Sequence, residues 1–340
     1  MKIVAFELEQ WERTAFDELA EKHDVETLTD ELDDANVAKF EDAEIISTFI
    51  YSSLDREVLE KLPKLKMIAT RSTGYDHIDV DYCRENDIRV ANVPVYGENT
   101  VAEHVFGLLL TLSHKLDQAI DRTRKGDFSP RGLQGFDLYG KTFGVIGTGN
   151  IGMHAIRIAK GFGMEVLAFD IKPREDCARE LGFRYVEMED LLRQSDVISL
   201  HVPSTKKTRH MLSEREFDLM KPGVVIINTS RGGLIDTRAL VRALAEGTVA
   251  GAGFDVLAEE PVIREEAELL RSVYQRSHNL EALLADHVLI RLRNVIVTPH
   301  SAFNTKEAVT KILETTVDNI QSFLAGETLN VVDGAAPVTH

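Results

Sequence analysis

Residues 144–152 read GVIGTGNIG. The apolar run from Phe143 to Ile146 ends on three glycines, Gly147, Gly149 and Gly152. Each has its own use where a strand turns into a helix. Gly147 permits the tight turn, Gly149 lets a phosphate approach the backbone, and Gly152 lets the helix pack on the sheet. The helix start behind them presents unpaired N–H groups, which suit an anion. Alone, GxGxxG also marks ordinary glycine-rich turns. Here a strand precedes it, a helical segment from Ile151 to Phe162 follows, and the next strand ends in Asp170. That acid falls about 20 residues beyond the loop, where a carboxylate accepts hydrogen bonds from a ribose diol. The four parts together predict a dinucleotide site. A carboxylate at Asp170 repels a 2′-phosphate and so favours NAD over NADP. Lys172 and Arg174, just beyond it, work against that preference.

Working outward, apolar runs rich in β-branched residues recur, each followed by a longer amphipathic stretch. KIVAF (2–6), AEIISTF (43–49), LKMIATR (65–71) and IRVANVP (88–94) form a first group. KTFGVIG (141–147), MEVLAFD (164–170), DVISLHVP (196–203), GVVIINTS (223–230), GAGFDVL (251–257) and NVIVTPH (294–300) form a second. Near-continuous apolar strands alternating with helices indicate parallel sheets covered on both faces. The pattern runs twice, so the expected fold is α/β with two doubly wound parallel-sheet domains. Residues 99–126 read as one long helix ending at Gly126, and residues 305–325 as a last helix that returns to the first domain. The second domain is then an insertion: 99–300 is the dinucleotide-binding domain, and 1–98 with 301–340 is the other. Residues 261–293 break the rhythm. They are charged and helical in pattern, which fits a surface excursion, a flap or a subunit contact.

The chain has 340 residues, 44% hydrophobic and 28% charged, with a formal net charge of −17. That field repels nucleic acid. The longest apolar run, Val105 to Leu112, is far short of the roughly 20 residues of a membrane span. MKIVAFELEQ at the start lacks the features of a signal peptide. Two cysteines, Cys83 and Cys177, are too few for a disulfide framework or a thiolate metal cage, and no cluster has metal-ligand spacing. The expectation is a cytoplasmic protein without a metal, a membrane anchor or a nucleic-acid partner. A small anionic ligand needs only a local cation.

Ligands of doubly wound folds bind beyond the carboxyl ends of the strands. Strand 223–230 leads into Arg231, strand 251–257 runs through Asp255 toward Glu259 and Glu260, and strand 294–300 ends on His300. Hydride exchange at a carbonyl needs a proton donor, which His supplies best near neutral pH. It also needs a carboxylate to steady the imidazole and a cation to polarise the oxygen and grip a 2-keto acid. His300, Arg231 and one of the two glutamates have that chemistry. His104, His114 and His210 read as structural.

VIGTGNIG, DVISLHVP, INTSRGGLID, GFDVLAEEP and NVIVTPHSAFNT together resemble the NAD-dependent D-2-hydroxyacid dehydrogenases. ATRSTGYDHIDVDYC (69–83) and NVPVYGENTVAEH (92–104) are similar to the D-lactate dehydrogenase branch of that family. The likeness spans nearly the whole chain. It implies a flavodoxin-like substrate domain built from both chain ends around a Rossmann NAD-binding domain. It implies the catalytic set Arg231, Glu260 and His300, with Glu260 chosen over Glu259 by its distance from Arg231. It implies that backbone N–H groups of Ser72, Thr73 and Gly74 hold the substrate carboxylate, with Tyr96 nearby. Tyr51 matches an aromatic that narrows the side-chain pocket, and Phe303 likewise closes it. The implied cofactor contacts are Thr100, Gly147, Thr148, Gly149, Asn150, Ile151, Gly152, Asp170, His201, Val202, Pro203, Thr229, Ser230 and Asp255.

The activity so implied is reduction of pyruvate to D-lactate by a homodimer that pairs through its long helix, 99–120. Domain closure would exclude water. The alternatives are the same chemistry on glyoxylate, hydroxypyruvate or 2-ketoisocaproate, or a NAD-sensing corepressor-like binding protein. The 261–293 stretch is longer than in phosphoglycerate or glyoxylate relatives.

Overall fold

The structure is a computed structural model and describes residues 1–257 and 287–332. Its contacts divide the described residues into two units, one of Met1–Gly97 with residues 304–332, the other within Glu98–Phe303.

The first unit holds a five-stranded parallel sheet in the order β2-β1-β3-β4-β5. Its strands are β1 (Lys2–Ala5), β2 (Asp24–Thr27), β3 (Ile45–Thr48), β4 (Met67–Thr70) and β5 (Arg89–Ala91). β3 and β4, in the middle, are buried at every residue, which is why they read as unbroken apolar runs. β2 lies at the sheet edge with no buried residue, and its sequence DVET carries no such run. The helix Lys306–Leu324 belongs to this unit, started by Thr305, whose hydroxyl accepts from the Ala308 N–H.

The second unit holds a seven-stranded parallel sheet in the order β12-β11-β10-β9-β6-β7-β8. The strands are β6 (Thr142–Ile146), β7 (Glu165–Phe169), β8 (Arg184–Tyr185), β9 (Val197–Leu200), β10 (Val224–Asn228), β11 (Val249–Phe254) and β12 (Val295–Val297). Alternate residues feed opposite cores. Val225 and Ile227 join Phe143 and Val145 on one face, while Ile226 joins Ile146 and Ile198 on the other. Burial on both faces holds the carboxyl edge of the sheet rigid, and the candidate site lies along that edge.

The long helix expected over 99–126 is two helices, Glu98–His114 and Leu116–Arg124, divided at Lys115 in the left-handed region (φ 52°). The cause is tertiary. The Phe136 N–H donates to the Ser113 carbonyl (2.9 Å), replacing the helix's own bond there. A Cβ on Gly135 would stand 1.8 Å from that oxygen, so glycine is required. Lys115 Nζ also donates to the Gly132 carbonyl (3.1 Å). Of the stretch 261–293, residues 261–286 lie outside the described residues. Residues 287–291 are helical and bury Leu289.

Candidate active site

Because all seven strands of the larger sheet run one way, their carboxyl ends share an edge, and the segments leaving them follow the spatial order of the strands. From β7 toward β12 these are Asp170, the glycine loop, His201–Pro203, Thr229–Arg231, Asp255 and His300. Neighbouring strands stand about 4.8 Å apart. The chain changes winding direction between β6 and β9, the place where such sheets open a crevice.

At the crevice, Gly147 has φ 96°, and a Cβ there would lie 2.5 Å from the His201 carbonyl oxygen. A Cβ on Gly152, in the first turn of the helix Asn150–Gly161, would lie 2.1 Å from the Gly147 oxygen. Protein atoms therefore demand both glycines. Gly149 differs: its φ is −62°, and a Cβ would meet nothing within 4 Å. Among the described residues nothing calls for glycine there, which leaves the backbone open to a group that approaches from outside. A dinucleotide pyrophosphate at the helix start is such a group.

Two buried polar atoms along the same edge, His201 Nδ1 and Thr229 Oγ1, take no partner among the described residues. They are adjacent, since Leu200 and Asn228 are register partners. His201 Nε2 pairs with Ser199 Oγ at 2.9 Å. Burial pushes the His201 imidazole down to about 4, so it is neutral at physiological pH. Both orphan atoms suit the polar groups of a bound cofactor. Asp170, half-buried at the end of β7, accepts at Oδ2 from the Thr148 N–H (2.6 Å) and hydroxyl (3.0 Å), and at Oδ1 from the Lys172 N–H (2.9 Å). Asn150 donates from its amide to Glu98 Oε1 (2.8 Å), and Thr100 is buried on the same helix as Glu98. Ile151 and Val202 are half-buried, and Pro203 is exposed.

Arg231 follows β10 in an extended conformation. Asn228 secures the turn, its amide donating to the Arg231 carbonyl (2.9 Å) and its side-chain oxygen accepting from the Ser230 N–H (3.0 Å). The Ser230 hydroxyl donates to the Leu200 carbonyl (2.7 Å), tying this turn to β9. His300 has φ 51°, a region unfavourable for a side chain with a Cβ. What holds it there is Asp255, which is 1% exposed. The Asp255 carbonyl accepts from the His300 N–H (3.0 Å), and its carboxylate accepts from the N–H groups of Ser301 (2.9 Å) and Ala302 (2.8 Å) and from the Thr298 hydroxyl (2.5 Å). His104 Nε2 meets Thr298 Oγ1 at 2.9 Å and lies 3.5 Å from Asp255 Oδ1. Burial alone would raise the Asp255 carboxyl. The hydrogen bonds from His104, Thr298, Ala302 and Ser301 outweigh it and hold the group below the usual carboxylate range. Phe303 follows, half-buried. Glu260 lies outside the described residues.

In the smaller unit, the residues expected to contact substrate leave the carboxyl ends of β3 and β4. In the loop after β4 the carbonyls of Ser72, Thr73 and Gly74 are all occupied, by the Val93 N–H (3.0 Å), the Asn92 amide (2.8 Å) and the Ser72 hydroxyl (2.6 Å). The N–H groups of Thr73 and Gly74 donate to no described residue. Successive N–H groups without a protein acceptor have the chemistry to receive an anion. Just before this loop in the chain is Arg71, 3% exposed, which donates to Ser47 Oγ (2.9 Å) and to the Phe6 (2.5 Å) and Glu7 (3.0 Å) carbonyls, tying β1, β3 and β4 together. Burial lowers this guanidinium to about 10, against the pull of Glu7 and Glu12, so it stays charged. The Glu7 carboxylate accepts from the N–H groups of Tyr51 (3.1 Å) and Ser52 (2.9 Å) and from the Ser52 hydroxyl. Tyr51 is 38% exposed, its ring edge-on to Phe49 at 5.6 Å. Tyr96 is half-buried.

The sequence reading missed Glu7, Arg71, Asn92, Glu98 and Tyr185. Each acts by a contact between segments, and no local motif marks it.

A parallel sheet with this loop, acid and row of polar strand ends defines an NAD-dependent oxidoreductase. Comparison narrows the class. The family model described as "D-isomer specific 2-hydroxyacid dehydrogenase, NAD binding domain" matches residues 106–302. The D-lactate dehydrogenase of Escherichia coli (strain K12) is 42% identical over 290 residues, 84% of this chain and 84% of that one. The glyoxylate reductase of Thermococcus litoralis is 38% identical over 296 residues, 85% of this chain and 83% of the relative. Among solved structures, the D-lactate dehydrogenase of Aquifex aeolicus, complexed with NAD and lactic acid, aligns with a TM-score of 0.86 at 37% identity. The alignment covers 98% of this chain and 100% of that one. The chain belongs to the D-isomer specific 2-hydroxyacid dehydrogenase family, and NAD is its cofactor.

Proposed function

We propose that this enzyme reduces pyruvate to D-lactate: pyruvate + NADH + H⁺ gives D-lactate + NAD⁺. What supports this reading is that Arg231 and His300 follow β10 and β12, strands two spacings or roughly 10 Å apart, on the edge that bears the glycine loop. NADH, when bound, supplies the hydride from the nicotinamide ring. Gly149, Asn150 and Ile151 would hold its pyrophosphate, Asp170, steadied by Thr148, its adenosine ribose, and His201 and Thr229 its nicotinamide end.

Arg231 grips the keto acid with its planar fork and polarises the carbonyl. His300 donates a proton to the carbonyl oxygen as negative charge develops there, then regains a proton from solvent. Glu260 stabilises the imidazolium and orients it. The Ser72–Gly74 loop contributes N–H groups to the substrate carboxylate. Tyr51 would narrow the side-chain pocket to a methyl group and disfavour branched side chains.

We place the enzyme in the cytoplasm as a homodimer. Among the described residues no helix is long and apolar enough to cross a membrane. Phe128 and Tyr139 are each 81% exposed in the larger unit, where Leu116 and Ile120 are also uncovered, and a second copy would cover such side chains. Steady-state kinetics with NADH and pyruvate, glyoxylate, hydroxypyruvate and 2-ketoisocaproate test the reading. Pyruvate should have the highest kcat/KM and yield only the D isomer. A higher value for any other acid contradicts the substrate assignment.

A further inference from the structure

Asp170 selects NAD only if its carboxylate stays turned toward the ribose. Two cations follow it closely, Lys172 and Arg174, which are well placed in sequence to receive a 2′-phosphate instead. The structure contains a device that opposes this. A carboxylate only accepts, so the Thr148 hydroxyl must donate to Asp170 Oδ2 (3.0 Å). With its single proton committed, Thr148 Oγ1 meets Tyr185 only as an acceptor, and the Tyr185 hydroxyl donates to it (2.8 Å). The Tyr185 oxygen in turn accepts from the Arg174 N–H (3.1 Å). The chain therefore runs one way, from the Arg174 N–H through the Tyr185 and Thr148 hydroxyls to Asp170. Bonds aligned in this way polarise one another and strengthen the last, charge-assisted member.

We propose that Tyr185 is a positioning residue for cofactor choice: its hydroxyl fixes Thr148, and through it Asp170, so that the enzyme takes NADH over NADPH despite Lys172 and Arg174. Accepting a 2′-phosphate requires the carboxylate to swing away and the segment 171–174 to turn its cations inward. The relay resists the first movement, on which the second depends, because it commits the Thr148 proton to Asp170. The Tyr185 ring packs edge-on against Phe183 (5.2 Å), a contact that Tyr185→Phe keeps while removing only the hydroxyl.

The inference rests on the NAD dependence of the family and not on pyruvate as substrate. The test accordingly uses the purified full-length chain without any keto acid. Binding of NADH and of NADPH is titrated by nucleotide fluorescence in the native protein, Tyr185→Phe, Asp170→Ala and the double variant. Tyr185→Phe should cut the NADH-over-NADPH preference about fivefold, the value of one net hydrogen bond. In the Asp170→Ala background the same change should leave the preference unaltered, since the effect passes through that carboxylate. Thr148→Val, which breaks the relay at its middle, should reproduce the loss and serves if Tyr185→Phe does not fold. A purely structural role would weaken both nucleotides alike. An unchanged ratio in Tyr185→Phe, or an equal shift with Asp170 absent, overturns the proposal.

Discussion

Replacing Gly149 with alanine separates what the fold requires from what the cofactor requires. The residue already has a φ of −62°, which alanine adopts freely, and the new methyl would touch no protein atom within 4 Å. Alanine is a poorer N-cap than glycine, but it also restricts the unfolded chain, a gain of about 0.4–1 kcal/mol. The two effects offset, so Gly149→Ala should unfold in urea within about 1 kcal/mol of the native protein. On the proposed reading, however, the methyl fills space that the pyrophosphate would occupy. Forcing an extra carbon into a packed contact costs about 1–3 kcal/mol, which corresponds to a roughly 5- to 150-fold rise in the Kd for NADH. Gly152→Ala should behave oppositely in the folding assay. Its Cβ would lie 2.1 Å from the Gly147 oxygen, so the urea midpoint should drop by at least the amount seen for overpacked cores. Native NADH affinity in Gly149→Ala, or a loss of stability matching that of Gly152→Ala, would refute the argument that this glycine answers to the ligand.

Two further consequences concern the sheet edge. The His201 imidazole protonates near 6.5 when unfolded but only at about 4 when folded, so the unfolded state binds more protons between those values. Stability is therefore complete above pH 6.5, falls by about 2 kcal/mol between pH 7 and pH 5 and levels off below 4. Urea unfolding at the two pH values checks this, and His201→Asn should lose that part of the slope. Asp255→Asn sets an amide against the N–H groups of Ser301 and Ala302 in a buried site and should cost about 1–3 kcal/mol, the penalty of an unsatisfied buried donor. An unchanged urea midpoint would show that this carboxylate does not hold the His300 turn.

What was legible in the sequence follows from burial. Central strands such as β3 and β10 are enclosed on both faces and read as unbroken apolar runs, and the glycine loop followed by Asp170 sits within one β-α-β segment. Edge strands carry less signal: β2 has no buried residue, and β8 is two residues long. The helix break at Lys115 was illegible because its cause, the approach of Gly135 and Phe136 to Ser113, lies some 20 residues further along the chain. The polar supports of the site are more distant still. Tyr185 stands 37 residues from Thr148, Glu98 stands 52 from Asn150, and His104 stands 194 from Thr298. Pattern and spacing reveal elements and local loops. They do not reveal which loops the topology lays side by side.

The proton-donor role of His300 is the point on which the proposed chemistry turns, and His300→Ala tests it most directly. With pyruvate and saturating NADH, kcat should fall by about 10²–10⁴, the contribution of a positioned general acid, while the Kd for NADH stays near the native value. A variant that reduces pyruvate at the native rate would contradict the account.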